Sequence, residues 1–209
     1  MGGDHLELDV ALAPGSAATV LTQAANKVYK GAEARQNTTF HVGEGGFVEY
    51  LPHHLIPFAR SIYHQETEFY LAGDSVLLVW DAVSAGRVAR GERFAFDSLS
   101  GRMRIFREGL PEVVDGIELR SGGEPFGGYS YLGTAYILAP RSLEPLAEKL
   151  HAALNSMPFV LASASAPSLR LCAVRILARD ATALYRALNT FRAVARTCLD
   201  LPPAAREVR

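Results

Sequence analysis

Two kinds of side chain in this sequence have the chemistry to bind a metal ion, and the first is a pair of histidines. His53 and His54 are adjacent and lie between Pro52 and Pro57. Imidazole nitrogen is a ligand for nickel and zinc alike. Neighbouring residues of a strand point to opposite faces, so both rings could bind one ion only from a loop. The alternative is a pair of loop histidines without a fixed ligand.

The second kind is an acidic residue within or beside an apolar stretch. Glu49 lies in the sequence FVEYL, and Asp81 directly follows LLVW. A buried carboxylate is costly unless it is paired or binds a cation, so both residues are candidate metal ligands. Alternatively, each one faces solvent or forms a salt bridge with Arg87 or Arg90.

The common motifs of enzyme active sites are absent from the sequence. It has no phosphate-binding P-loop, no dinucleotide fingerprint between strand and helix, no nucleophile elbow and no HExxH zinc motif. The segment 43–46 is glycine-rich, but it carries Glu44, enters a strand and lacks a following lysine. It therefore predicts a hairpin turn, and the glycine pairs at 122–123 and 127–128 predict a loop.

The composition is that of a globular protein, with 49% hydrophobic and 21% charged residues. A length of 209 residues suits one domain, β-rich over 1–140 and α+β over 141–209. The net charge of -1 gives no reason to expect nucleic acid or a membrane as partner. Cys172 and Cys198 match no metal-binding spacing, and there is no secretory signal or membrane-length apolar run, so we expect a cytoplasmic protein.

The elements that must position these side chains are mostly strands. Over 5–12, apolar and acidic residues alternate, as on the two faces of a strand. Further runs predict strands at 17–23, 36–42, 47–51, 61–71, 75–83, 93–97, 102–107, 112–119, 129–138, 159–165 and 169–177. Trp80, Tyr63 and the neighbours Phe69 and Tyr70 are predicted to fill the core, with one of the last two facing outward.

A weak internal repeat runs through these strands. Segments 15–21, 45–51 and 74–80 superpose without gaps at a nearly constant spacing, and each is a tight turn followed by an apolar strand. A steady period of this length is typical of stacked coils or of successive long hairpins. We therefore expect a mainly β fold of stacked or coiled sheets, like a β-solenoid.

Two helices are predicted after the strands. Ser142 is expected to cap the first, which runs to Asn155 with leucines at helical spacing and a tolerated Pro145. Asp180 is expected to cap the second, which runs to Leu199 before Pro202-Pro203 ends it. The apolar stripe of the second helix comprises Leu184, Leu188, Phe191, Ala195 and Cys198, with Arg186, Arg192 and Arg196 off that face.

Four stretches, taken in order, resemble motifs of the UreD (or UreH) family of urease accessory proteins. They are GGDHLELDV at 2–10, TQAANKVY at 22–29, EYLP at 49–52 with IPF at 56–58, and WD at 80–81 with GR at 86–87 and RGE at 90–92. Each motif alone is weak, but four in the family order are specific. From Arg102 onward the match is looser.

The resemblance implies a function in nickel delivery. UreD-type proteins act with a UreF-type helical partner, with the GTPase UreG and with apo-urease. They are thought to conduct nickel through an internal passage to the active site of urease. The resemblance implies a non-enzymatic metallochaperone scaffold that hydrolyses neither GTP nor urea and holds nickel only transiently. Weak oxygen ligands along a path suit such transfer better than a tight thiolate site.

Glu49, Asp81 and Glu92 lie in or beside the family motifs, and we expect them to line the nickel path. In the repeat frame, Glu49 and Asp81 are three positions apart, which would place them on neighbouring levels of a stack. Ion pairs with arginines at 87, 90 or 93 are the competing role for Asp81 and Glu92. His53 and His54 match no family motif and are the weakest metal candidates.

Two other interpretations of the sequence remain open. One is a β-solenoid interaction scaffold without a metal role, and the other is a metal-dependent enzyme built around His41, His53, His54 and His64. One departure from the family concerns Met1, which stands almost at the glycine-glycine-aspartate motif. Family members usually carry strands before that motif, so we expect a shortened form or a misassigned start.

Overall fold

The computed structural model describes residues 2–201, and most of its regular structure is β-strand. The strands are β1 (His5–Leu12), β2 (Ala17–Leu21), β3 (Asn26–Val28), β4 (Ala34–Val42), β5 (Phe47–Leu51), β6 (Leu55–Pro57), β7 (Ile62–Leu71), β8 (Val76–Ser84), β9 (Ser98–Arg107), β10 (Leu110–Arg120), β11 (Tyr131–Leu138), β12 (Val160–Ser168) and β13 (Leu171–Ala178). The helices are α1 (Glu144–Asn155) and α2 (Ala181–Cys198). The prediction of a mainly β chain with two C-terminal helices is confirmed. The expectations about Met1 and Pro202-Pro203 fall outside the described residues.

The strands form two sheets that face each other. The five-stranded sheet has the order β1-β4-β7-β9-β10, and the eight-stranded sheet has the order β12-β13-β11-β8-β5-β2, with β3 and β6 attached beside β8. Apolar side chains from both sheets, such as Phe69 and Val79, pack into a shared core between them. α1 and α2 cover the opposite face of the eight-stranded sheet through a second core that includes Leu150 and Leu188. Neither helix is long and apolar enough to cross a lipid bilayer.

Among the first nine strands, neighbours pair in parallel, and the spacing of the pairing matches the spacing of the sequence repeat. Ala17 lies opposite Phe47, and Phe47 lies opposite Val76, so the three repeat segments pair in the frame in which their sequences superpose. The other sheet keeps the same spacing where His5 pairs with Arg35 and Ala34 pairs with Tyr63. Because the register is preserved in both sheets, equivalent residues of successive turns lie side by side.

The glycine-rich segment 43–46 is a turn, but the hairpin prediction is wrong. It joins β4 in the five-stranded sheet to β5 in the eight-stranded sheet, and these two strands do not pair. A Cβ atom on Gly46 would lie 2.7 Å from the carbonyl oxygen of Gly43 and 2.9 Å from Cγ1 of Val42. The glycine at this position is therefore required by the tight crossing between sheets.

The strand predicted at 93–97 is also wrong, because this segment is irregular and β9 begins only at Ser98. The alternating pattern arises because Phe94 and Phe96 are both buried beside Phe126 in a separate apolar cluster. Phe94 has a φ of 46°, which no regular strand adopts. The two buried aromatic rings hold a loop in place, and because they are two positions apart they give the alternating pattern expected of a strand. The predicted loop at 122–128 is confirmed.

The second predicted helix is confirmed at its start and corrected on one face. The Asp180 side chain accepts a hydrogen bond from the backbone N–H of Ala183, so it caps α2 as predicted. The apolar residues of the stripe from Leu184 to Ala195 are buried. Arg192 and Arg196, expected away from the packed face, are buried as well. Their guanidinium groups bind a buried carboxylate in the sheet below.

The first helix begins later than predicted, and Ser142 does not cap it. Leu143 occupies the N-cap position, and no side chain caps the helix there. Leu143 is buried, and its backbone N–H donates to the carbonyl of Leu169, so packing sets this helix start. Pro145 lies in the first turn, as expected.

The aromatic residues behave as the sequence predicts. Trp80, Tyr63 and Phe69 are buried, whereas Tyr70 is 37% exposed and faces away from the core. The Trp80 indole N–H donates to the carbonyl of Pro52 at 2.8 Å, so this ring is both packed and hydrogen-bonded.

Candidate functional site

A cavity of about 150 Å³ lies between the two sheets. Most of its lining is apolar, including Leu55, Val83 and Met103. The polar and charged side chains that reach it come from both sheets and include Tyr63, Gln65, Asp81, Asp115 and Arg175, whereas the Arg102 side chain pairs with Glu66 on the outer face. Gly101 lies opposite Gln65 in the register of the five-stranded sheet, and a Cβ atom there would lie 3.3 Å from Cγ2 of Ile117, which also lines the cavity.

In the described part of the chain, Asp81 is the cavity carboxylate that has no arginine partner, whereas Asp115 is paired with Arg175. Oδ2 of Asp81 accepts a hydrogen bond of 2.9 Å from Nε2 of Gln65, and its Oδ1 accepts one of 2.8 Å from the N–H of Ala82. Within residues 2–201, no basic side chain lies within ion-pair distance of it. Burial raises the pKa of Asp81 to about 6, although both hydrogen bonds act in the opposite direction. The predicted alternative of a salt bridge to Arg87 or Arg90 is therefore not what the structure contains.

A buried polar row leads from Asp81 into the space between the sheets. The Tyr63 hydroxyl lies 3.2 Å from the side-chain oxygens of both Gln36 and Gln65. Gln36 and Gln65 are paired in register on β4 and β7, and both are 9% exposed. This row was not predicted from the sequence. The signal that could have found it is a glutamine at the same position of two successive repeats, each at an inward-facing point of an alternating strand.

An ion pair lies at the solvent side of the cavity. Nη2 of Arg175 is 2.7 Å from Oδ1 of Asp115, and their side chains are 45% and 25% exposed. The Arg175 guanidinium also lies over the ring of Tyr136, 5.5 Å from its centre. Since Asp115 and Arg175 line the cavity and also contact solvent, they mark its opening.

Glu49 lies on the opposite face of the eight-stranded sheet, under α2. It is fully buried, and both of its oxygens bind arginine: Arg192 Nη2 at 2.5 Å from Oε2 and Arg196 Nη1 at 2.7 Å from Oε1. Thr19 donates a further hydrogen bond to Oε2. Burial raises the pKa of Glu49, but these hydrogen bonds outweigh burial and hold it below its ordinary value.

Glu49 and Asp81 are therefore separated by the sheet, contrary to the expectation of neighbouring levels on one path. Glu49 lies opposite Leu78 in the pairing of β5 with β8, and Asp81 comes three positions after Leu78. Because side chains of a strand alternate between faces, an odd offset puts the two carboxylates on opposite faces.

Glu92 is held by a different set of contacts. Its Oε1 accepts a hydrogen bond of 2.6 Å from the N–H of Ala59, and its Oε2 lies 2.5 Å from Nη2 of Arg87. The hydrogen bond from Arg87 is the main reason why the pKa of Glu92 is lowered. The carboxylate thereby joins two loops, which is the ion-pair role that the sequence left open.

His53 and His54 lie beside Tyr185 of α2. Nδ1 of His54 is 2.8 Å from the Tyr185 hydroxyl, and Nδ1 of His53 is 3.0 Å from the Thr22 hydroxyl. His54 is buried, and burial followed by the neighbouring His53 lowers its pKa to about 4. The pair follows the end of β5, in the short non-strand segment before β6, which agrees with the predicted loop.

The residues predicted as metal ligands do not converge on one metal centre. Among residues 2–201, no group of three or more His, Cys, Asp or Glu side chains could hold an ion together. His41 stacks on Tyr70, and His64 contacts Ser100. Both histidines lie on the outer face of the five-stranded sheet, whereas His53 and His54 belong to the eight-stranded sheet, in the segment between β5 and β6. The four histidines of the proposed enzyme site are therefore divided between different faces.

Replacing Tyr185 by Phe should lower the free energy of unfolding by about 1–3 kcal/mol, because the buried imidazole of His54 loses its hydrogen-bond partner. Urea unfolding measures the change. Tyr70→Phe is the matched control, since the Tyr70 hydroxyl binds Glu68 at the surface and its loss should cost less than about 0.5 kcal/mol. Equal losses in the two variants would contradict the role given to the Tyr185 hydroxyl.

Comparison with known proteins places the chain in a family. The model of the UreD urease accessory protein family matches residues 1–209. The UreD protein of Sorangium cellulosum is 37% identical over 147 residues, which is 68% of this chain and 47% of the relative. For the UreD proteins of Anaeromyxobacter sp. and Herpetosiphon aurantiacus, identity is 35%, with 67% and 66% of this chain and 50% and 51% of the relatives covered. The chain thus spans about half the length of the curated relatives it matches. It belongs to the UreD family of urease accessory proteins.

Proposed function

We propose that this chain serves in urease maturation as a metallochaperone scaffold that helps to place nickel in apo-urease. Membership of the UreD family is the observation that carries the proposal. The partners that the resemblance implies are a UreF-type protein, the GTPase UreG and apo-urease itself. We place this activity in the cytoplasm. In this scheme GTP hydrolysis belongs to UreG, and the chain itself is not an enzyme.

Nickel is cargo in this proposal, and the cavity between the sheets is the part of the chain that it would traverse. The cavity offers one carboxylate, Asp81, that no arginine within residues 2–201 neutralises, next to the amide and hydroxyl oxygens of Gln65 and Tyr63. Single oxygen ligands bind a borderline divalent ion weakly, which permits capture and release. A metal ion binds the deprotonated carboxylate. Because the pKa of Asp81 is about 6, occupancy should fall as the pH drops below that value.

The stacked parallel turns suit a scaffold of the solenoid-like kind. The constant register keeps inward-facing polar groups of successive turns beside each other, as in the pair Gln36 and Gln65. In such an arrangement, each further turn adds one inward-facing polar group to a route between the two sheets. We propose this stack as the framework that holds the passage.

Most of the other residues expected on the nickel path already have protein partners in the structure. Glu49 and Glu92 are engaged by arginines, and His54 is engaged by Tyr185. A metal role for Glu49, Glu92, His53 and His54 therefore stays a prediction, and the present proposal places only Asp81 on the route.

Deletion of the gene tests the function most broadly. We expect the deletion strain to lose urease activity and urease-bound nickel, and to recover both when the chain is supplied from a plasmid. Partial rescue by excess nickel would support delivery. Normal nickel content of urease in the deletion strain would refute the proposal. Low activity with full nickel content would favour the alternative of an interaction scaffold without a metal role.

A further inference from the structure

We propose that the free edge of β12 is a docking site for an extended, basic segment of a partner protein. β12 is the end strand of the eight-stranded sheet, and within the described part of the chain it pairs only with β13. The outer edge of such a strand presents unpaired N–H and C=O groups, which can form hydrogen bonds with an added strand.

A groove runs along this edge between β12 and α1, with a volume of about 550 Å³. On the strand side it is lined by Ala164, Ser165 and Ala166, whose small side chains let another backbone come close. On the helix side it is lined by Glu144 and Glu148, together with His151. The groove therefore has a hydrogen-bonding floor and an acidic wall.

The acidic wall decides the chemistry of the occupant. Glu144 and Glu148 are one helical turn apart, so their like charges repel each other. Both are exposed, and neither forms an ion pair with any residue in 2–201. An arginine or lysine of an added strand would relieve this repulsion, whereas an acidic strand would increase it.

The two faces of β12 set the pattern of the occupant. Ala162 is buried on the side of the helices, and Leu161 is 53% exposed on the other side. Side chains of an added strand alternate between these two sides. The strand should therefore carry basic residues toward α1 and apolar residues beside Leu161. The pairing of β12 shifts in register after Ser165, next to Pro167, so an added strand should meet the acidic wall with the end that lies beside Ala164 and Ser165.

Three fluorescein-labelled synthetic peptides test the proposal by fluorescence anisotropy with the full chain. The first is a short strand-length peptide that alternates arginine with valine, the second has the same charge but proline in place of valine, and the third alternates glutamate with valine. We expect the first to bind, and the other two to bind at least about tenfold more weakly, because one cannot form strand hydrogen bonds and the other has the wrong charge.

Charge reversal locates the site. The double variant Glu144→Lys/Glu148→Lys should weaken binding of the arginine peptide by about tenfold or more. Glu7→Lys/Glu118→Lys is the matched control, because these two residues are exposed on the five-stranded sheet, and it should change binding by less than about threefold. The proposal is overturned if the arginine peptide does not bind, if the proline peptide binds equally well, or if both double variants weaken binding alike.

Discussion

Replacing Glu49 by Gln should lower the free energy of unfolding by about 3–5 kcal/mol, since it breaks a buried ion pair and leaves charged groups without their counter-ion. Arg192 and Arg196 reach Glu49 from α2, and their side chains are only 5% and 10% exposed. The neutral amide keeps one acceptor oxygen and turns the other acceptor atom into an N–H donor, so it cannot balance two guanidinium charges. Without the Glu49 charge, α2 should detach from the sheet at a lower urea concentration than the one that unfolds the rest of the chain.

Urea unfolding with a matched control measures this effect. Glu118→Gln removes the same charge from an ion pair with Arg120 that is largely exposed, and it should cost less than about 1 kcal/mol. Replacing Glu49, Arg192 and Arg196 together with Leu, Met and Met should recover part of the stability lost in Glu49→Gln, because no buried charge is then left alone. A Glu49→Gln protein as stable as the control would contradict this account of the ion-pair cluster.

The same cluster predicts a loss of stability in acid. Since the pKa of Glu49 is lowered in the folded chain, its contribution is present above the ordinary value of 4.5 and is lost as the pH falls through the folded value. In Glu49→Gln this part of the acid dependence should be absent. Unfolding curves at a series of pH values between neutrality and pH 3 compare the two proteins.

Asp81→Asn should have the opposite effect, with stability preserved and nickel delivery lost. The raised pKa of Asp81 means that its charged form is disfavoured by the fold, so removing the charge at pH 7 should not destabilise it. In the wild type, stability should rise as the pH falls from about 6 toward the ordinary value of 3.8, because the folded chain then takes up a proton. Asparagine keeps one oxygen for Gln65 or for the N–H of Ala82.

The contrast between these two variants separates a structural carboxylate from a transport carboxylate. Asp9→Asn serves as the control for Asp81→Asn, since Asp9 is exposed on β1 at the outer face. Neither aspartate variant should change the free energy of unfolding by more than about 1 kcal/mol. A large loss of stability in Asp81→Asn would show that Asp81 is structural, as Glu49 is.

The sequence predicts the strand register better than the partners of its charged residues. The repeat consists of a tight turn followed by an apolar strand, which is a local pattern of the sequence. Each repeat must have the same spacing for its strand to pair in register with the strand of the preceding repeat. The placement of Asp81 on the other face from Glu49 was also predictable, because the odd offset follows from the same register. The expectation that Glu49 and Asp81 line one path was wrong because it considered only which turn each residue belongs to. It did not consider which face of the sheet each side chain points to.

The partners of Glu49 could not be predicted, because they lie in the last helix of the described chain, far away in sequence. The helical pattern of α2 places Arg192 beside the apolar stripe, and nothing local distinguishes a solvated arginine from one that reaches a buried acid. The false strand at 93–97 has a similar origin. Two phenylalanines bury themselves at alternating positions whether or not the backbone between them is a strand.

The nickel content of urease matured with Asp81→Asn tests the central claim most directly. Apo-urease would be activated with the accessory proteins at limiting nickel, and nickel per active site measured by mass spectrometry for wild type, Asp81→Asn and Asp9→Asn. We expect Asp81→Asn to fold and to co-purify with its partners. It should deliver at least about tenfold less nickel than the wild type, which is the size of loss that substitutions around metal ligands cause. The control should deliver the wild-type amount. Full nickel loading by Asp81→Asn would contradict a route through the cavity between the sheets.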